Sequence, residues 1–178
     1  MSDDKKEPWL NFLALTTVIF AVCATLSTFK GGGYSTRSVI SQAQASDQWA
    51  YYQAKSIRET LYKIQRQNLT LTRNDLASQH GAPDLSNYDA AIAEADKTMN
   101  RYKDEKDTIQ KDAKALEAKR DDAQRHGQPF GLAVIFFQVA ILLSSIAGLF
   151  KQKSLWYLAL PVGGVGLVYF FNGFWLFM

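Results

Sequence analysis

Between Phe130 and Phe150 the chain reads FGLAVIFFQVAILLSSIAGLF, 21 residues without one charge. As a helix rising about 1.5 Å per residue, this run is roughly 31 Å long, the thickness of a bilayer's hydrocarbon core. Two more uncharged runs exist, Pro8 to Phe29 near the start and Ser154 to Met178 just beyond Lys151-Gln152-Lys153. Burying three such runs in a soluble protein needs a far larger core than 178 residues can supply. The chain therefore reads as an all-α integral membrane protein with three transmembrane helices, and the lipid bilayer is its first partner.

Whole-chain averages conceal this. A mean hydropathy of −0.17 and a net charge of +3 describe an ordinary soluble domain, but they average three apolar runs with one very polar middle. Of the 37 charged residues, 30 lie between Lys30 and Arg125, 16 basic and 14 acidic. That near balance argues against a nucleic-acid surface, which needs a clustered basic face. The one cysteine, Cys23, lies inside the first apolar run, so no intrachain disulfide can form. Lys5 and Lys6 precede that run, yet its length exceeds the roughly 7–15 residues of a signal core. With Asp3, Asp4 and Glu7 alongside, it reads as a retained anchor.

Three regions emerge: residues 1–29 as tail and first span, 30–128 as an extramembrane helical hairpin, and 129–178 as the second and third spans. Gly31-Gly32-Gly33 predicts a helix break, because glycine carries the largest backbone entropy cost in a helix, and Ser35 or Thr36 can cap the next helix. Beyond it Ala43, Ala50, Ile57, Ile64 and Leu71 recur every seven residues, with Ile40, Ala54 and Leu61 between them. This is a heptad seam, interrupted by Asp47 and Asn68. Ser78 to Pro83 is a breaker cluster, after which Asp84 or Ser86 opens a second long helix. Its seam reads Tyr88, Ile92, Ala95, Met99, Tyr102, Ile109, Ala113, Leu116 and Ala123, with Lys106 and Arg120 as exceptions. His126-Gly127-Gln128-Pro129 predicts its stop, with His126 a cation at the helix end. Two such helices joined by a short connection make an antiparallel, coiled-coil-like hairpin. With the tip near Gly81, facing residues have numbers summing to about 160, as in Ile57 with Tyr102 and Leu61 with Met99.

Candidate contact sites are of two kinds. Small residues recur at three- and four-residue spacing around Ala21 in the first span, Ser144 in the second and Gly163 in the third, where helix backbones can approach closely. In the polar middle, Trp49, Tyr51 and Tyr52 spread around the helix circumference, so one partner arm cannot cover all three. Aromatic area left over points to a contact with another copy or a partner; the competing reading is a belt near the headgroups.

Chemistry-bearing motifs are missing. There is no GxSxG, no HExxH, no cysteine pair and no phosphate-cradling loop, and the two histidines, His80 and His126, fall at opposite ends of one arm. No catalytic residue, metal ligand or cofactor is assigned. The spans contain no Asp, Glu, Lys, Arg or His, which argues against ion-coupled transport. Gln138 and Asn172 are their strongest polar groups and read as interhelical glue.

The opening EPWLNFLALTTVIFAVCATLSTFKGGGYSTRSVISQAQASDQWAYYQAKSIRE, above all its DQWAYYQAKSI segment, resembles a family of bacterial membrane proteins known only as a domain of unknown function. The resemblance is good over residues 7–66 and looser beyond. It implies bacterial membrane residence and a shared topology, and brings no activity. Short segments rich in lysine stay cytoplasmic and the long polar middle counts little in that rule, so Lys5, Lys6, Lys151 and Lys153 place the N-terminus inside and the hairpin outside, in the periplasm of a cell with two membranes. The expectation is a non-enzymatic scaffold or accessory subunit of the inner membrane, a homo-oligomer or part of a larger complex. An oligomeric channel or pore is the alternative.

Overall fold

The computed structural model describes residues 8–78 and 84–177. Lys5, Lys6, His80 and the tip expected at Gly81 lie outside those residues. Three helices account for the chain in order: α1 (Pro8–Ala77), α2 (Ser86–Phe150) and α3 (Lys153–Trp175), with no strand among the described residues. All three are long and apolar enough to cross a membrane. The fold is all-α, as expected, and α1 and α2 pack side by side as a hairpin.

The helix ends obey local chemistry. The Asp84 carboxylate accepts from the backbone N–H of Ser86 at 3.0 Å and from its hydroxyl at 3.0 Å, which starts α2. Between α2 and α3, Lys151 takes a left-handed conformation with φ 51°, and the N–H of Gln152 returns to the Ala147 carbonyl at 3.1 Å. A similar left-handed residue, Leu176, closes α3, its N–H donating to the Asn172 carbonyl at 2.8 Å.

Two expected breaks do not occur. Helix α1 runs straight through Gly31-Gly32-Gly33, and α2 through His126-Gly127-Gln128-Pro129. The reason is packing. A Cβ on Gly31 would lie 3.2 Å from that of Phe130, and one on Gly127 would lie 3.4 Å from that of Tyr34. These glycines let α1 and α2 approach, and the close packing outweighs the loss in helix propensity of about 1 kcal/mol per glycine. His126 is accordingly no terminal cation. It sits within α2, its ring stacked on Tyr34 at 5.1 Å and its Nδ1 3.0 Å from the Asp122 carbonyl oxygen.

Packing divides the chain into two units, one made of α1 up to Ile40 with α2 from Lys119 and α3, the other of Ser41 to Ala118. In the first, Phe20, Ala133, Phe137 and Ala140 form one buried cluster and Trp9, Leu13 and Ala147 another. Aromatic rings fill notches left by the glycines of α3. The Phe20 ring occupies the space a side chain on Gly163 would need, and a Cβ on Gly166 or Gly173 would come within 2.9 Å of Phe137 or 2.7 Å of Phe130. In the second unit, Ala45 and Ala113 are buried almost completely, and Ala95, Thr98, Tyr102 and Ile109 complete its interior.

Candidate functional site

The second unit is where the chain departs most from a simple two-helix seam. Its α2 arm is as the heptads predict: Ala95, Tyr102, Ile109 and Ala113 are buried and Tyr88, Ile92, Met99 and Leu116 half-buried. Its α1 arm meets them with a different set of residues. Ser41, Ala45, Trp49, Tyr52, Lys55, Glu59 and Tyr62 face inward at three- and four-residue spacing. The apolar positions Ala43, Ala50, Ala54, Ile57, Leu61, Ile64 and Leu71 are all exposed, Ile57 to 62% and Leu61 to 59%. Residues two apart in a helix point about 200° away from one another, so the two sets occupy opposite sides. The expected pairs Ile57–Tyr102 and Leu61–Met99 are therefore not formed. The antiparallel register is close to the one expected; the face that α1 presents is the opposite one.

Polar chemistry selects the inward face. The Trp49 indole N–H donates to Glu117 Oε1 at 2.9 Å, and the Trp49 ring meets that of Tyr52 edge-on at 5.5 Å. Lys106 Nζ donates to Glu59 Oε2 at 2.6 Å and lies 5.2 Å from the centre of the Tyr52 ring. Lys55 pairs with Glu105 at 2.5 Å, its ammonium between the rings of Tyr51 at 5.1 Å and Tyr102 at 5.2 Å. Arg66 with Asp96 at 2.7 Å and Arg73 with Asp89 at 2.6 Å continue the ladder outward. Tyr62 leans on Tyr102 at 5.8 Å. Amphipathic side chains of this kind cover apolar neighbours with their stems while their charged ends find partners. The hydrogen bond from Lys55 holds Glu105 below the usual carboxylate range, while hydrogen bonds to Glu105 and Glu59 raise Lys55 and Lys106.

The six candidate contact residues separate on this structure. Trp49 and Tyr52 are half-buried against α2, whereas Tyr51 stays 51% exposed. In the first unit Ala21 is exposed, Ser144 is completely buried with no hydrogen-bond partner for its hydroxyl, and Gly163 is buried under Phe20. The rings of Phe20, Phe130 and Phe137 carry no signal of their own in three spans rich in phenylalanine. Glycines at 163, 166 and 173 on one helix are the signal that bulky groups from elsewhere need room. Among the described residues no group of three or more His, Cys, Asp or Glu side chains could hold a metal ion.

The chain matches a family described as a domain of unknown function (DUF4337) over residues 9–176. No curated protein matches it, and no solved structure does.

Proposed function

We propose that this chain, which belongs to the DUF4337 family, is a non-enzymatic membrane protein of scaffold or accessory-subunit type that works by assembling. The observation that carries this reading is the apolar stripe on the 41–77 stretch of α1, where Ile57, Leu61, Ile64 and Leu71 are 48–63% exposed. Taken as extramembrane, a contiguous stripe of that kind is one that water-facing monomers rarely keep. The exposed Ala21 offers a second contact, inside the bilayer, where small side chains admit a neighbouring helix.

The reading places the protein in a bacterial inner membrane, with its N-terminus cytoplasmic and residues 30–128 on the outer side, from the lysine bias of the short flanking segments. In a Cys23→Ala background, single cysteines at Gln79 and Gln152 test the orientation. An impermeant reagent on cells with a permeabilised outer membrane should label the first and spare the second; the reverse pattern overturns the assignment. Assembly itself is tested by the mass of the full chain in lipid nanodiscs and by cross-linking in its own membranes. A multiple of 20.0 kDa, or a cross-linked partner, is expected. A monomer that captures nothing overturns the scaffold reading.

A further inference from the structure

We propose that the outward face of α1 from Ala50 to Leu71 is a parallel, in-register packing surface for a second copy of this chain. The inference rests on the assembly reading above and names its partner and geometry. Ala54, Leu61 and Asn68 occupy the a positions of a heptad, and Ala50, Ile57, Ile64 and Leu71 the d positions. All seven residues are exposed and lie on the side of α1 turned away from α2. The face spans 22 residues, about 33 Å of helix, enough for three heptads of knobs-into-holes packing. Exposed at 48–63%, the four Ile and Leu residues leave several hundred Å² of apolar surface in a single line.

Three features select another copy of α1 over an unrelated partner. Repetition every 3.5 residues is the pattern that keeps a seam facing a second, equally periodic helix, and this chain carries one in α1 itself. The flanks of the seam are nearly free of charge. Tyr51, Arg58, Gln65 and Thr72 stand at e, Gln53, Thr60 and Gln67 at g, so the single cation, Arg58, meets Gln53 of the second copy and no like charge. Finally, the polar residues discriminate direction. In a parallel pair Asn68 faces its own counterpart, and two amides hydrogen-bond across the axis, the arrangement by which a buried asparagine sets register. An antiparallel pair would set Asn68 against Ala50 and Asp47 against Leu71, leaving both polar groups opposite hydrocarbon. Asp47 and Asp75, the a positions on either side, bracket the seam and would repel their counterparts, which ends it at both limits.

The test uses the full chain with Cys23→Ala, reconstituted in lipid vesicles and oxidised. With Asn68→Cys or Ile57→Cys, most of the protein should run as a covalent dimer on a denaturing gel, because each position meets itself across the seam. Lys63→Cys, exposed on another side of the helix, should stay monomeric. Asp47→Leu, which extends the seam, should raise the assembled fraction on dilution. Dimer formation at positions 57 and 68 together with silence at 63 establishes the surface. An assembled mass in nanodiscs without dimer at 57 and 68 overturns this surface and leaves the scaffold reading standing. A mass of one chain throughout overturns this surface, and with nothing cross-linked in its own membranes it overturns the scaffold reading as well.

Discussion

Between Tyr88 and Leu116, α2 turns its apolar heptad positions onto α1; between Ala43 and Leu71, α1 turns its own away from α2. The two arms carry the same kind of repeat, and the difference lies in what else they carry. Opposite its apolar stripe, α1 has a second face of Trp49, Tyr52, Lys55, Glu59 and Tyr62, whose long side chains reach Glu117, Lys106, Glu105 and Tyr102. The α2 arm has one face suited to burial, and α1 has two. An apolar period shows that a surface needs covering. It does not show which helix covers it.

The largest effect should come from the covered stripe. Ile109 is only 6% exposed, so Ile109→Asp places an unpaired carboxylate in the α2 seam and should cost several kcal/mol, enough to melt the 41–118 unit. Circular dichroism against temperature measures it, and a parent-like melt would mean that α2 does not bury this face. Next comes a matched pair of enlargements. Ala113 has no exposed surface, so Ala113→Leu overpacks the contact with α1 and should lose about 1–3 kcal/mol in a urea titration. Ala50→Leu on the outward stripe should lose nothing and should increase the assembled mass. Equal losses would erase the distinction between the arms.

The ion pairs sharpen the comparison through pH. Glu105 is depressed by its bond from Lys55, so its contribution is present above its unfolded pKa and is lost as pH falls through the lower folded value. Lys55 and Lys106 are raised by Glu105 and Glu59, so theirs is present below the unfolded lysine value and is lost as pH rises through the folded one. Arm stability should therefore be flat from about pH 5 to about pH 10 and decline on either side. Lys55→Gln and Lys106→Gln together should flatten the alkaline decline; an unchanged profile would remove these pairs from the account. Smallest is Trp49→Phe, which keeps the ring and deletes the bond to Glu117, at a cost of about 1 kcal/mol in the same titration.

Much of this architecture is legible in the sequence, for identifiable reasons. Uncharged runs of bilayer length mark the three apolar helices, and the sevenfold repeat of α2 marks its buried face down to Ala113. Three features are not legible. Gly31 and Gly127 look like breaks because propensity is local, whereas the contacts with Phe130 and Tyr34 that make them useful come from the facing helix. Gly163 looks like a backbone approach point, but a ring, that of Phe20, takes the space. On α1, nothing in its own apolar repeat marks the face with Lys55 and Glu59 for burial. Only the facing sequence, with Glu105 and Lys106 at the matching height, makes it an interior.

The claim that α1 has two working faces is tested most directly by Ile57→Asp with Leu61→Asp, made in the full chain and measured in nanodiscs for both assembled mass and helix content. A seam between the arms would make this double variant unfold the 41–118 unit. The two-faced account predicts the opposite division: helix content like the parent's and a mass that falls to a single chain. Helix content that collapses, or a mass that stays assembled, would contradict it.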